Sequence, residues 1–249
     1  MTTLIVALGA VTGGFVQGFS GFAFGLVAIA FWAWLLEPRL VGPLIVVGSL
    51  TGHVMSIGAV RRGMDIRRIL PLLVGGAIGI PIGVALFHLV NPIGFKIGVG
   101  ALLLIWCPAM LFAPRVPKIG RVGWPGDALV GAVGGVMCGL GGLGGPAPTL
   151  WCTLRGWNRD AQRATFQSFN FALQIATFVA YAATGVITVE LTGYFLLVAV
   201  CVIVPALAGA EVYKRFGEHA FRHAVLVLLT VSGFVLLASV APHFLRHTT

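Results

Sequence analysis

At 249 residues, with 58% hydrophobic and only 9% charged residues, the chain cannot be a water-soluble globule, in which about a quarter of residues are charged. Its formal charge of +9 does not mark a nucleic-acid binder, because the basic residues sit in short loops between apolar runs. The composition is that of an integral membrane protein, and topology and anionic headgroups account for the charge.

No Lys or Arg precedes Arg39, so the opening apolar run lacks the basic flank of a cleaved signal and is expected to belong to the mature structure. A first broken stretch covers 3–36, with glycines dense from Gly14 to Gly21 at its middle. Apolar spans follow over 41–60, 69–89 and 95–113, each close to the ~20 residues that cross hydrocarbon as a helix. A second broken stretch, 127–153, repeats the glycine density from Gly135 to Gly142, and spans over 164–184, 190–212 and 223–244 complete the chain. The glycine stretches lie 121 residues apart, so the chain reads as a duplication: a first membrane repeat over 1–113, a cytoplasmic linker over 114–126 and a second repeat over 127–249.

If each broken stretch enters and leaves on one side, thirteen of the sixteen Lys and Arg residues fall on one face, leaving Arg39, Lys96 and Arg246 on the other. The basic face is then cytoplasmic and both termini are periplasmic. Each half holds a two-legged hairpin and three spans, an odd number of elements, so the second half is inserted upside down. The first hairpin's legs, about 15 and 11 residues, are short for crossing about 30 Å, which favours re-entrant hairpins meeting near the midplane; tilted full spans give the same loop assignment. Gly75, Gly79 and Gly83 form a ladder for close helix packing.

The tip of a re-entrant hairpin exposes the N-terminus of its second leg, whose free N–H groups and dipole favour negative charge. The second tip reads Gly144-Gly145-Pro146-Ala147-Pro148-Thr149, and the first ends in Ser20-Gly21. Glycine there lets a ligand approach the backbone, or serves only the turn and its packing. In the span after each hairpin, Ser49, His53 and Ser56 match Asn170, Gln174 and Thr177 at the same offset of 121, and the i, i+4, i+7 spacing puts each set on one face. Such stripes line a cavity or glue helices together. Gln167 extends the second stripe, Arg163 lies one turn further toward the cytoplasm, and Gln17 sits in the first glycine stretch. Arg163 either attracts an anion or sets topology, and His53 either exchanges protons or packs as a neutral side chain.

All seven acids fall in loops or near span ends, which disfavours a cationic substrate. Cys107, Cys138, Cys152 and Cys201 are isolated, so neither a metal site nor a cofactor is expected. His53 has no local partner for catalysis, so the chain is not read as an enzyme. Phe19, Phe22, Phe24 and Trp151 line or gate a cavity, or simply pack.

The two glycine-rich openings, the pattern Gly-Pro-x-Pro-Thr at Gly145–Thr149, and the steps Gly63-Met64-Asp65 and Gly185-Val186-Ile187 resemble bacterial permeases of the sulfite exporter TauE/SafE family, also called the 4-toluene sulfonate uptake permease family. The first copy departs in having Phe22-Ala23-Phe24 where a more glycine-rich run is usual. The resemblance implies transport of a small sulfur-containing anion, sulfite, sulfoacetate or another sulfonate, across the bacterial inner membrane. The expectation is an all-α, multi-pass inverted-repeat transporter, with a passive anion channel as the alternative. Its substrate site draws on Ser20, Gly21, Gly144, Gly145, Ala147, Thr149, Asn170 and Gln174; His53 is the candidate for proton coupling, and Gln17, Ser49, Gln167, Trp151 and Arg163 are secondary. Its partners are the substrate anion, the bilayer and protons. Transport direction and oligomeric state, a homodimer included, stay open.

Overall fold

A computed structural model describes residues 1–60, 65–120, 122–216 and 219–245. They form ten α-helices: α1 (Thr2–Ser20), α2 (Phe24–Leu35), α3 (Pro38–Val60), α4 (Ile66–Leu89), α5 (Pro92–Phe112), α6 (Gly123–Gly141), α7 (Pro146–Leu154), α8 (Arg159–Ala183), α9 (Thr192–Phe216) and α10 (His219–Leu245). The chain is an all-α polytopic membrane protein. By length and composition, Thr2–Ser20, Ile66–Leu89, Pro92–Phe112 and Val189–Tyr213 can each cross a bilayer. Asp65, Asn91 and Asn158 start α4, α5 and α8 by accepting backbone hydrogen bonds from Arg67, Gly94 and Ala161, which satisfies amides the helices leave free.

Helix directions follow from which residues meet. Gly9 and Gly13 of α1 face Trp32 and Phe24 of α2, and Phe24 and Gly25 of α2 meet Gly48 and Ile45 of α3, so α1, α2 and α3 alternate in direction. Gly42 near the start of α3 packs on Phe87 near the end of α4, so α4 runs back against α3, and the short turn after Leu89 reverses the chain again into α5. Gly75, Gly79 and Gly83 of α4 face the backbone of Ala128, Ala132 and Val136 of α6 in ascending order, so α4 and α6 run parallel and α6 opposes α1. Gly14 and Gly18 of α1 face Val202 and Ala206 of α9 in the same parallel sense. Helices α6–α10 therefore repeat α1–α5 upside down, and the parallel pairs α4–α6 and α1–α9 correspond. Along the axis between the halves, α3 crosses α8 antiparallel, with Gly42 beside Tyr181 and His53 beside Phe171.

The ladder expected from Gly75, Gly79 and Gly83 is half of a two-sided seam. Gly131, Gly135 and Gly139 of α6 return the contact onto the backbone of Leu72, Gly76 and Ile80, and a side chain at any of the six would collide with a peptide group. In hydrocarbon, where apolar burial drives association little, such close approach is what holds helices together.

The breaks fall later than expected. Helix α1 runs unbroken through Gly13, Gly14 and Gly18, which make room for Phe24, Val202 and Ala206; the chain turns only at Gly21, with φ 87°. Helix α6 likewise turns at Gly142, with φ 74°. Only these two glycines at the breaks take the left-handed conformation that ends a helix. The legs are correspondingly unequal. α1 and α6 have 19 residues each, about 28 Å, which is near the hydrocarbon thickness, whereas α2 and α7 have 12 and 9.

Candidate functional site

The two tips meet beside α8. At the first, Ser20 Oγ accepts hydrogen bonds from the backbone N–H groups of Phe22 (3.4 Å) and Ala23 (3.2 Å), closing the turn into α2. At the second, Pro146 opens α7, and its carbonyl accepts the indole N–H of buried Trp106 at 2.8 Å. Gly145 lies against the ring of Phe22, and Gly25 of α2 lies against Leu143 and the Gly142 carbonyl. Two helix N-termini thus converge, as the repeat predicts.

Helix α8 lays a stripe of polar side chains across this junction. Gln167 lies against Gly21, and Asn170 against both Gly144 and Gly145. Gln174 Nε2 donates to the Gly142 carbonyl (2.7 Å), Thr177 Oγ1 to Cys138 Sγ (3.2 Å) and the Tyr181 hydroxyl to the Gly139 carbonyl (2.8 Å). All five side chains are buried. The end of α6 and its turn, whose carbonyls lack helical donors, are held by the outer part of the stripe.

The inner part of the stripe holds nothing. Both polar atoms of the Gln167 amide and both of Asn170 lack a hydrogen-bond partner within the protein, as do Gln174 Oε1, Gln17 Oε1 and Ser168 Oγ. Buried polar groups are nearly always paired, because an unpaired one costs about 1–3 kcal/mol. A cluster of unpaired amides between two helix N-termini leaves donors and acceptors free for water or a bound molecule. Next to it, a cavity of about 70 Å³, room for several water-sized groups, is lined by Ser20, Phe22, Thr149, Thr153, Gln162 and Phe166 among others.

Most residues expected at the site are brought together, with changed roles. Gly21, Gly144, Gly145, Asn170 and Gln167 surround the unpaired amides. Gln174 positions the second tip. Gln17 Nε2 donates to the carbonyl of Ser49 (2.9 Å), tying α1 to α3. Ala147 is half-buried in the first turn of α7. The Thr149 hydroxyl is committed to the Gly145 carbonyl (2.7 Å), and the Gly144 backbone N–H faces the Cys138 sulfur. His53 is buried on α3 with its ring edge toward Phe171, 6.4 Å between centroids. The side chain of Ser56 and residues Gly63 and Met64 lie outside the described residues.

Two secondary candidates sit elsewhere. Trp151 donates to Asp127 Oδ1 (2.7 Å), fastening α7 to α6 away from the tips, because that carboxylate is 8% exposed and needs a donor. Arg163 lies where α1 ends, its guanidinium 4.5 Å from the Tyr213 ring and 3.5 Å from the Gly18 carbonyl. Sequence reasoning missed Cys138 and Tyr181. Cys138 is the repeat mate of Gln17 at the offset of 121, and Tyr181 continues the stripe four residues past Thr177; both signals were present.

A search of curated proteins and of solved structures finds no match to this chain. A family model, that of the sulfite exporter TauE/SafE proteins, matches residues 5–236; the chain belongs to that family.

Proposed function

We propose that this protein is a secondary transporter of a small sulfur-containing anion, of the sulfite or sulfonate class, working by alternating access in the bacterial inner membrane with both termini periplasmic. The observation that carries the reading is Asn170, buried, unpaired at both amide atoms and set against Gly144 and Gly145. An anion there accepts N–H bonds from Asn170 and Gln167 and from the first turn of α7, where Gly145 and Ala147 supply amides that the helix does not use. Ser20, whose oxygen already accepts from the backbone, retains its O–H to donate. Gly21 and Gly144 admit the ligand to the backbone, Thr149 shapes the wall, and Gln174 holds the second tip in place.

No Lys or Arg stands at the tips, so binding rests on neutral donors and is weak enough for release. Arg163, at the end of α1 beside the Gly18 carbonyl, raises the local anion concentration. His53 carries the coupled proton: it is the histidine buried on α3, the helix packed across from Asn170.

The test is exchange of labelled sulfite and methanesulfonate in proteoliposomes, with and without a pH gradient. Saturable exchange, accelerated by unlabelled anion on the far side, is expected. Flux without such acceleration favours the channel alternative, and no flux of either anion from folded protein removes the sulfur-anion assignment.

A further inference from the structure

The internal two-fold allows the two sides of the tip junction to be compared residue by residue. At the offset of 121, Phe22 corresponds to Leu143 and Phe166 to Ile45. On the Arg163 side, Phe22 and Phe166 meet edge to face with centroids 5.3 Å apart, and Trp106, pinned by its bond to Pro146, closes on Phe22 at 5.7 Å. This trio stands between the 70 Å³ cavity and the unpaired amides, since Phe22 and Phe166 line the cavity while Phe22 shares Gly145 with Asn170. On the opposite side Leu143 and Ile45 converge on Gly25, and Ile45 also packs on Gly142.

The spaces behind the two pairs correspond as well. Behind Leu143 lies a cavity of about 290 Å³ lined by Met137, Leu140 and Gly141 of α6 and by Gly98, Val99 and Leu102 of α5. The first three are the mates of Val16, Phe19 and Ser20, and the last three, at the offset of 127 between the first residues of α5 and α10 (Pro92 and His219), are the mates of Val225, Leu226 and Leu229; all six mates line the first cavity. One architectural space is therefore built twice, with different chemistry. The copy on the Arg163 side carries Ser20, Thr149, Thr153 and Gln162, and the other copy carries no hydrogen-bonding side chain.

We propose that Phe22 and Phe166, backed by Trp106, form the gate on the Arg163 side. Leu143 and Ile45 form its two-fold-related counterpart, and the two cavities are the antechambers. This rests on the transport reading above. The gates are unequal in what they admit: aromatic edges carry partial positive charge and tolerate a passing anion, whereas an aliphatic pair only excludes water. Selection for the anion is exercised at Phe22 and Phe166.

Native Cys138 is the reporter, because it is fully buried beside Gly144 and Asn170, between the two gates. The full chain with Cys107, Cys152 and Cys201 replaced by Ala is treated in sealed vesicles with a membrane-impermeant anionic methanethiosulfonate, added to one side at a time. Gly120→Cys and Gly193→Cys, exposed sites with open space around them, mark the two sides in parallel samples. Phe22→Ala is expected to speed Cys138 modification about tenfold from the Gly120 side only, a shift of about 1.4 kcal/mol in gate opening. Leu143→Ala is expected to do so from the Gly193 side only, and Phe22→Leu, which copies the aliphatic mate, keeps Cys138 protected. If Phe22→Ala does not fold, Phe166→Ala reads the same gate. Acceleration from both sides, from the wrong side, or from neither in folded protein overturns the proposal. Labelling needs no transported substrate, so a failed sulfite assignment leaves this result readable on its own.

Discussion

Replacing Asn170 by Leu separates a binding residue from a structural one by the sign of its effect on stability. Asn170 is 2% exposed, and neither its Nδ2 nor its Oδ1 has a partner in the protein. Each such group costs about 1–3 kcal/mol, so Leu, of similar size and without polar atoms, should stabilise the ligand-free protein by about 2 kcal/mol at the low end. For a chain of this length that is an upward shift in melting temperature of about 4–8 °C. Tyr181→Phe, further along the same face, is the control. It strands the Gly139 carbonyl in the last turn of α6 and should destabilise by about 1–3 kcal/mol. The assay is thermal unfolding in detergent with and without methanesulfonate, beside anion exchange in proteoliposomes. The anion should raise the melting temperature of the parent and leave that of Asn170→Leu unchanged, because only a species that binds the folded state stabilises it. A destabilised Asn170→Leu that still exchanges anions would refute the reasoning, since Asn170 would then be a bonded structural residue.

Other expectations test the scaffold and the coupling. Gly79→Val pushes a branched side chain into the Ala132 backbone and should cost at least about 1–3 kcal/mol or prevent folding, while Gly98→Val, with open space around it, should lie within about 0.5 kcal/mol of the parent by thermal unfolding. His53→Gln should keep anion exchange and lose its response to an imposed pH gradient; an unchanged response would make His53 a packing residue. Trp151→Phe leaves the Asp127 carboxylate without its indole donor and should lower stability by about 1–3 kcal/mol while leaving the KM for anion exchange unchanged. A changed KM would place Trp151 at the substrate after all.

The amino-acid sequence by itself determined the helical membrane class, the duplication and its inversion, because these rest on local composition, on the parity of spans and on an offset of 121 that carries polar residues onto polar residues. It also determined the face of α8, since Asn170, Gln174 and Thr177 share one side of any helix whatever lies opposite. Where the helices break was decided by tertiary structure. Gly14, Gly18 and Gly21 look alike in sequence, and only their surroundings separate glycines that admit a neighbouring helix from the one that turns the chain. The same is true of what each polar atom does. Gln174 bonds the second tip, Asn170 bonds nothing in the protein, and Trp151 faces Asp127, because a hydrogen bond depends on what another segment brings within about 3 Å. The inequality of the two cavities belongs to the fold as well: Phe22 and Leu143 become comparable only once the two-fold places both at the same junction.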